Sequence, residues 1–237
     1  MVFRVLSLYK EFIDSFAATG VIGRAVDSGA IGIDSIDIRS YSLDKHMRVD
    51  DYPYGGGAGM VLSAQPVVDS VRAVRGEREI PAVFFSPRGK TLNSALAKHY
   101  SKFPELILLC GHFEGIDERA LEILEVEEVS IGDYILTGGH LAACCFIDSV
   151  SRYVDGVLGN SESSENESFE NGLIEHSQYT RPREFEGLAV PEALLSGSHS
   201  LIADWRMENS LEATRKYRPD LYKKHLDSLR NTWRQQK

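Results

Sequence analysis

Three short segments carry most of the groups that could hold a small polar ligand. They are Ser86-Pro87-Arg88-Gly89, Gly111-His112-Phe113-Glu114-Gly115, and Ile131-Gly132-Asp133-Tyr134-Ile135-Leu136-Thr137-Gly138-Gly139. Each begins at or just after an apolar run, and each contains glycine. Glycine there permits positive φ and lets a second backbone or a ligand come close. Taken together, the three describe a pocket of backbone donors and acceptors with apolar walls, suited to a flat base and a ribose. Taken singly, each is an ordinary strand-to-helix turn.

Other groups could add chemistry. Asp50-Asp51-Tyr52-Pro53-Tyr54-Gly55-Gly56-Gly57-Ala58-Gly59-Met60 is the most glycine-dense stretch. No Gly-Lys-Ser/Thr follows it, so it is not a phosphate-binding P-loop, and GxGxxG spacing after a strand is absent. It is a loop that closes on a ligand or a plain surface turn. His112 lies in a strand-end loop, but the histidines show no metal-ligand spacing, so it reads as a polar partner or a surface residue. Arg152 ends an apolar helical stretch, where it serves the helix dipole or aims a cation at a substrate. Glu162, Glu165, Glu167 and Glu170 sit in a polar stretch, as solvated charge or as carboxylates brought to a site.

The elements that must position these groups alternate. Val2–Leu8 reads as a strand and residues 9–27 as helical spacing broken by Gly20 and Gly23. Ile31–Ile38 alternates at period two, as a strand does. Ser63 is placed to cap a helix over 64–75, and Thr91 a helix over 92–102. Strands are expected at Ile80–Phe85, Leu106–Cys110 and Val129–Leu136, and helices at Asp117–Leu124 and Gly139–Tyr153. This is an α/β pattern with a largely parallel sheet, ending near Gly159. Residues 160–176 carry five Glu, four Ser and no Lys or Arg, the composition of a mobile acidic linker. Residues 177–237 follow as a small helical unit: a short helix at Pro191–Leu195, then helices over 199–217 and 219–234, parted before Pro219.

Bulk properties narrow the class. The chain has 237 residues, and 43% are hydrophobic, enough for one core and a second small one. No apolar run reaches the ~18 residues of a membrane span, and the N-terminal residues lack a signal-peptide pattern. Cys110, Cys144 and Cys145 form no CxxC pair, which predicts buried thiols in a reducing cytoplasm. A net charge of −9 argues against generic nucleic-acid binding. From Leu201 onward, however, nine Lys/Arg face five Asp/Glu, a +4 tail on a −13 body. A basic tail can mark a phosphate contact, although on charge alone a solvated helical face is favoured.

The motifs VDDYPYGGGAGM, FFSPRG, LCGHFEGIDER, SIGDYILTGG, DSVSRY, GVLG, YTRP and VPEALLSGSH, in this order and spacing, resemble the bacterial tRNA (guanine-N1)-methyltransferases, the TrmD family. The resemblance implies a SPOUT-type domain over 1–159 with a deep trefoil knot, an acidic linker over 160–176 and a helical tRNA-binding domain over 177–237. It implies an obligate homodimer with an active site shared between subunits. The methyl donor is S-adenosylmethionine, and the acceptor is N1 of the guanosine immediately 3′ of the anticodon. A magnesium ion is admitted by the resemblance and indicated by no residue of the sequence. The donor-binding residues carried over are Phe84, Phe85, Ser86, Pro87, Gly111, Phe113, Glu114, Gly115, Ile131, Gly132, Asp133, Tyr134, Ile135, Leu136, Gly138 and Gly139. Substrate-binding residues carried over are Asp50, Tyr54, Gly55, Gly56, Gly57, Gly59, Ser196 and His199. The family's catalytic arginine maps onto Arg152. Its aspartate base maps onto Glu167, a departure that keeps the carboxylate and adds a methylene, with Glu165 as the fallback. His112, Phe113, His140 and Tyr52 replace an arginine, a tyrosine, a glutamate and an arginine that are usual in the family. A SPOUT enzyme acting on another RNA position, and an RNA-binding dimer that has lost its base, are the alternative readings.

Overall fold

A computed structural model of the chain describes residues 1–159 and 167–235. They fall into two compact units, Met1–Gly159 and Asn160–Lys237. The first unit runs β1 (Val2–Ser7), α1 (Lys10–Ala17), α2 (Gly20–Asp27), β2 (Gly32–Asp37), β3 (Asp50–Asp51), β4 (Val61–Leu62), α3 (Ala64–Arg75), β5 (Ala82–Thr91), α4 (Ser94–Tyr100), β6 (Glu105–Leu109), α5 (Glu118–Leu124), β7 (Glu127–Ser130) and α6 (Gly139–Ser151).

Five strands form one sheet in the order β2-β1-β6-β5-β7, and every pairing in it is parallel. Parallel sheets bury both faces, so their strands are apolar on both sides. In β6 this is visible residue by residue. Leu106 and Leu108 join one core with Phe3, Ile13, Tyr100 and Phe146. Ile107 and Leu109 join the other with Leu6, Val67, Val71 and Leu121. The first core is closed by α1, α2, α4 and α6, the second by α3 and α5. Helices on both faces therefore leave the strand ends as the places where loops converge.

Two strands depart from expectation. β5 does not stop at Ser86. Phe85 pairs with Val129, the chain loops out, and Lys90 pairs with Val129 again before Thr91 pairs with Ser130. The Ser86–Gly89 stretch is thus an excursion from one strand. Gly89 returns it so close to β7 that a Cβ there would lie 2.4 Å from Glu128 C and Val129 N. Arg88 bridges Glu118 and Glu128 at 2.9–3.2 Å. Its guanidinium is more than half exposed, and solvent screens such pairs so that they contribute little. The backbone contact at Gly89, not the ion pairs, sets the shape. β7 ends at Ser130 rather than Leu136, because from Ile131 the chain folds on itself: Tyr134 N donates to the Gly132 carbonyl (3.0 Å), and Tyr134 Oη donates to the Ile131 carbonyl (3.1 Å).

The caps also differ. Thr91 belongs to β5, and Asn93 caps α4, its Oδ1 accepting from Leu96 N at 2.9 Å. Ser63 stands at the start of α3, but its side chain makes no capping bond.

In the second unit, a β8–β9 hairpin (Glu184–Phe185, Leu188–Ala189) that the sequence reading missed precedes α7 (Glu192–Leu195), α8 (His199–Tyr217) and α9 (Pro219–Gln235). The stretch expected to be a linker is packed from Glu167 on. Leu173 is buried. Thr214 Oγ1 accepts from Ile174 N (2.8 Å) and donates to the Ser210 carbonyl (2.7 Å). Ser210 Oγ donates to the Ile174 carbonyl, and Asn209 Oδ1 accepts from Ser177 N (2.7 Å). A row of polar side chains on α8 thus satisfies backbone groups of Ile174 and Ser177, which the acidic composition of the stretch hides.

Asn93→Ala is expected to cost about 1 kcal/mol of unfolding free energy, as loss of a capping side chain does. Ser63→Ala should stay within about 0.5 kcal/mol, as for a surface position without such a bond. Urea unfolding of the two variants checks the assignment.

Candidate active site

The three glycine-bearing loops, the excursion within β5 and the segments after β6 and β7, meet on the side of the sheet where parallel α/β sheets bind ligands. They line one cavity of about 540 Å³, within the size range of small-molecule sites. Every residue expected to hold the methyl donor lines it except Asp133. Asp133 is exposed, because the turn over Gly132 carries it outward. Arg88, His112, Glu118 and Thr137 line the cavity as well. The loop positions of Arg88, His112 and Thr137 and the helical position of Glu118 were legible, but their place in the cavity wall was not.

The cavity's floor is backbone. Gly139 N donates to the Gly111 carbonyl at 2.7 Å. A Cβ on Gly139 would lie 2.8 Å from Gly111 N and 3.0 Å from Cys110 Cα. One on Gly111 would meet the Phe84 ring at 2.9 Å. The glycines are therefore dictated by packing of the first turn of α6 onto the end of β6.

One polar group of this wall is buried and unpaired. His112 Nε2 lies 3.1 Å from Tyr9 Oη, while His112 Nδ1 is buried with no hydrogen-bond partner among the described residues. A buried polar atom left so costs free energy comparable to a lost hydrogen bond, so the wall fits a ligand that offers one. Burial and the neighbouring His112 hold the His140 imidazole below its usual range. Burial pushes the Cys144 thiol up to about 12 and the Cys110 thiol higher still. Both are inert, whereas Cys145 is exposed, contrary to the expectation of three buried thiols.

The glycine-rich stretch is the tip of a hairpin. β3 and β4 pair antiparallel, and Gly55, Gly56, Gly57 and Gly59 all take positive φ. Its base is stitched to the loop after β6: Glu114 N donates to the Met60 carbonyl (2.9 Å) and Leu62 N to the Gly115 carbonyl (3.0 Å). Gly59 lies against the Glu114 side chain of the cavity wall. Asp50 is half-buried at the hairpin's foot, and Tyr54 at its tip is fully exposed.

Arg152 is the C-cap of α6 and half-buried. Glu167, Ser196 and His199 belong to the second unit. Glu167 opens a tight turn in which Glu170 N donates to its carbonyl (3.3 Å) and Phe169 N to the Leu173 carbonyl (2.8 Å). Ser196 Oγ is turned to the Ala193 carbonyl (2.7 Å), and His199 begins α8. Glu162 and Glu165 lie outside the described residues. Among the described residues no group of three or more His, Cys, Asp or Glu could hold a metal ion, and no helix is long and apolar enough to cross a membrane.

A parallel sheet with a glycine-floored cavity at its carboxyl ends defines an α/β protein built to bind a small ligand there. Residues 1–224 match the family described as tRNA (Guanine-1)-methyltransferase TrmD, and the chain belongs to it. A Clostridium botulinum strain Hall protein named tRNA (guanine-N(1)-)-methyltransferase is 54% identical, over 93% of this chain and 91% of its own length. Proteins of the same name from Lachnospira eligens (51%, 97% of this chain, all of theirs) and Clostridium perfringens (50%, 94% of each) agree. As a methyltransferase family, its methyl donor is S-adenosylmethionine.

Gly139→Ala should lower the melting temperature and weaken S-adenosylmethionine binding at least tenfold, since backbone stands on both sides of the new methyl group and overpacking costs ~1–3 kcal/mol. Gly159→Ala, with nothing within 4 Å of its Cβ, should do neither. Thermal unfolding and titration calorimetry provide the check.

Proposed function

We propose that this chain transfers a methyl group from S-adenosylmethionine to N1 of the guanosine immediately 3′ of the anticodon in tRNA. The match to the methyltransferase family over residues 1–224 carries the reading, and the cavity at the ends of β5, β6 and β7 supports it.

When bound, the donor supplies an electrophilic methyl group on a positively charged sulfur. The chain's own residues do the rest. The cavity's backbone groups, with Phe84, Ile131 and Ile135 among its apolar walls, hold and orient the donor, which replaces a bimolecular encounter with a fixed approach. Guanine N1 carries a proton, and the Glu167 carboxylate accepts it; a positioned base is worth ~10²–10⁴-fold. As the proton leaves, negative charge grows on O6, and the Arg152 guanidinium stabilises it. Glutamate in place of the family's aspartate keeps the carboxylate and adds a methylene. In this reading Glu167 reaches the site from the partner subunit of a homodimer, the loops around the cavity form a trefoil knot, Asp50, Tyr54 and the hairpin glycines contact the guanosine side, and residues 177–237 hold the tRNA with Ser196 and His199. The protein works in the cytoplasm, where its substrate is.

Glu167→Ala is expected to slow methyl transfer ~10²–10⁴-fold while donor affinity stays unchanged, and Glu167→Asp to retain most of the rate. Single-turnover transfer to tRNA together with donor titration provides the test, and a near-wild-type rate for Glu167→Ala would sink the assignment.

A further inference from the structure

The second unit holds a cavity of its own, about 590 Å³, and its chemistry differs from that of the first. Three arginines line it, Arg181, Arg183 and Arg206, and no carboxylate does. In a chain of net charge −9, that local balance is unusual. None of the three guanidinium groups has an ion-pair or hydrogen-bond partner among the described residues, whereas Arg4, Arg48, Arg78, Arg88, Arg119 and Arg218 are each paired with a carboxylate. Arginines 181, 183 and 206 are all exposed, so their charge is presented rather than spent within the fold.

An aromatic platform adjoins them. Trp205, next to Arg206 on α8, meets the rings of Tyr179 and His176 edge-on, at 6.0 and 6.2 Å between centroids. Tyr179 and His176 line the cavity, and the Tyr179 ring is about half exposed, at 48%. The platform is held from behind, because the residue after His176 is tied to α8 through Asn209 (2.7 Å). A flat ring on a fixed base beside unpaired guanidinium groups is the pairing that grips unpaired nucleotides: the ring stacks a base and arginine takes the flanking phosphates.

We propose that this cavity is a nucleotide-binding site for an unpaired residue of the tRNA substrate, with Arg181, Arg183 and Arg206 on its phosphates and Tyr179 stacked on its base. The site anchors the RNA at a point separate from the methyl-donor cavity. It rests on the tRNA-methylation reading and adds to it where part of the RNA is held and by which groups.

The test is tRNA binding by fluorescence anisotropy across a range of salt concentrations, with donor binding measured on the same samples. Each of Arg181→Gln, Arg183→Gln and Arg206→Gln should weaken binding and reduce the slope of log K against log salt by about 0.7–0.9, one phosphate contact each. Tyr179→Ala should weaken binding on the order of tenfold with the slope unchanged, because stacking releases no counterion. Arg24→Gln, an exposed cation on α2 in the other unit, should leave both unchanged. Donor affinity, far-UV circular dichroism and the melting curve should be wild-type throughout, which shows that both units are folded in the variants. If wild-type protein binds tRNA and the arginine variants bind with its affinity and slope, the site is overturned while the function stands. An equal slope change in Arg24→Gln overturns it too, because the charge effect is then general. Wild-type protein that binds no tRNA overturns both readings.

Discussion

The amide of Gly139 donates to the carbonyl of Gly111 across 2.7 Å, and no side chain fits between the two backbones. That contact joins the first turn of α6 to the end of β6, the central strand of the sheet. Much else follows from it. The stretch between β7 and α6 must fold back over Gly132 to reach this point, which carries Ile131, Ile135 and Leu136 to the cavity. The glycines at 111, 138 and 139 leave main-chain atoms in the cavity wall, beside polar side chains such as His112, Glu114 and Thr137. At the other end of α6, Arg152 sits on a helix fixed at its start by this contact and along its length by Phe146, Ile147 and Val150 in the core.

A second constraint operates in the other unit and is polar rather than apolar. α8 buries Ser210 and Thr214 and uses them to satisfy the backbone around Ile174. Buried polar groups of this kind are worth having only when fully paired, and these are. The result is a defined path for the chain from Glu167 to Tyr179, with the proposed base at one end and an aromatic ring at the other. The net charge of −9 hides this arrangement, because charge matters locally and three unpaired arginines share one concavity.

The sheet was legible where its physics is local. The apolar runs Leu106–Cys110 and Ile80–Phe85 read as strands of a largely parallel sheet, and parallel strands lie at Glu105–Leu109 and from Ala82. Glycine at the ends of runs pointed to the three loops of the cavity. What stayed hidden depends on contacts distant in the chain. Nothing in Ser-Pro-Arg-Gly says that β5 resumes after it, because the cause is the backbone of Glu128 and Val129, some forty residues on. Asn93 and Thr91 are both capping residues by type, and only the strand pairing of Thr91 with Ser130 decides between them. Val129–Leu136 is apolar enough for a strand throughout, yet Gly132 and the Tyr134 ring turn it into a loop and face Asp133 outward. The roles proposed for Glu167 and Arg152 come from the family resemblance alone, because no spacing points to them.

The central claim is that a donor held at the ends of β5, β6 and β7 gives its methyl group to one base of tRNA. The most direct measurement incubates the protein with labelled S-adenosylmethionine and two tRNA transcripts that differ only in the base immediately 3′ of the anticodon. The account predicts label at N1 of guanosine in the first transcript and none when another base replaces it. Equal labelling of both transcripts, or label on a different nucleotide, would contradict it.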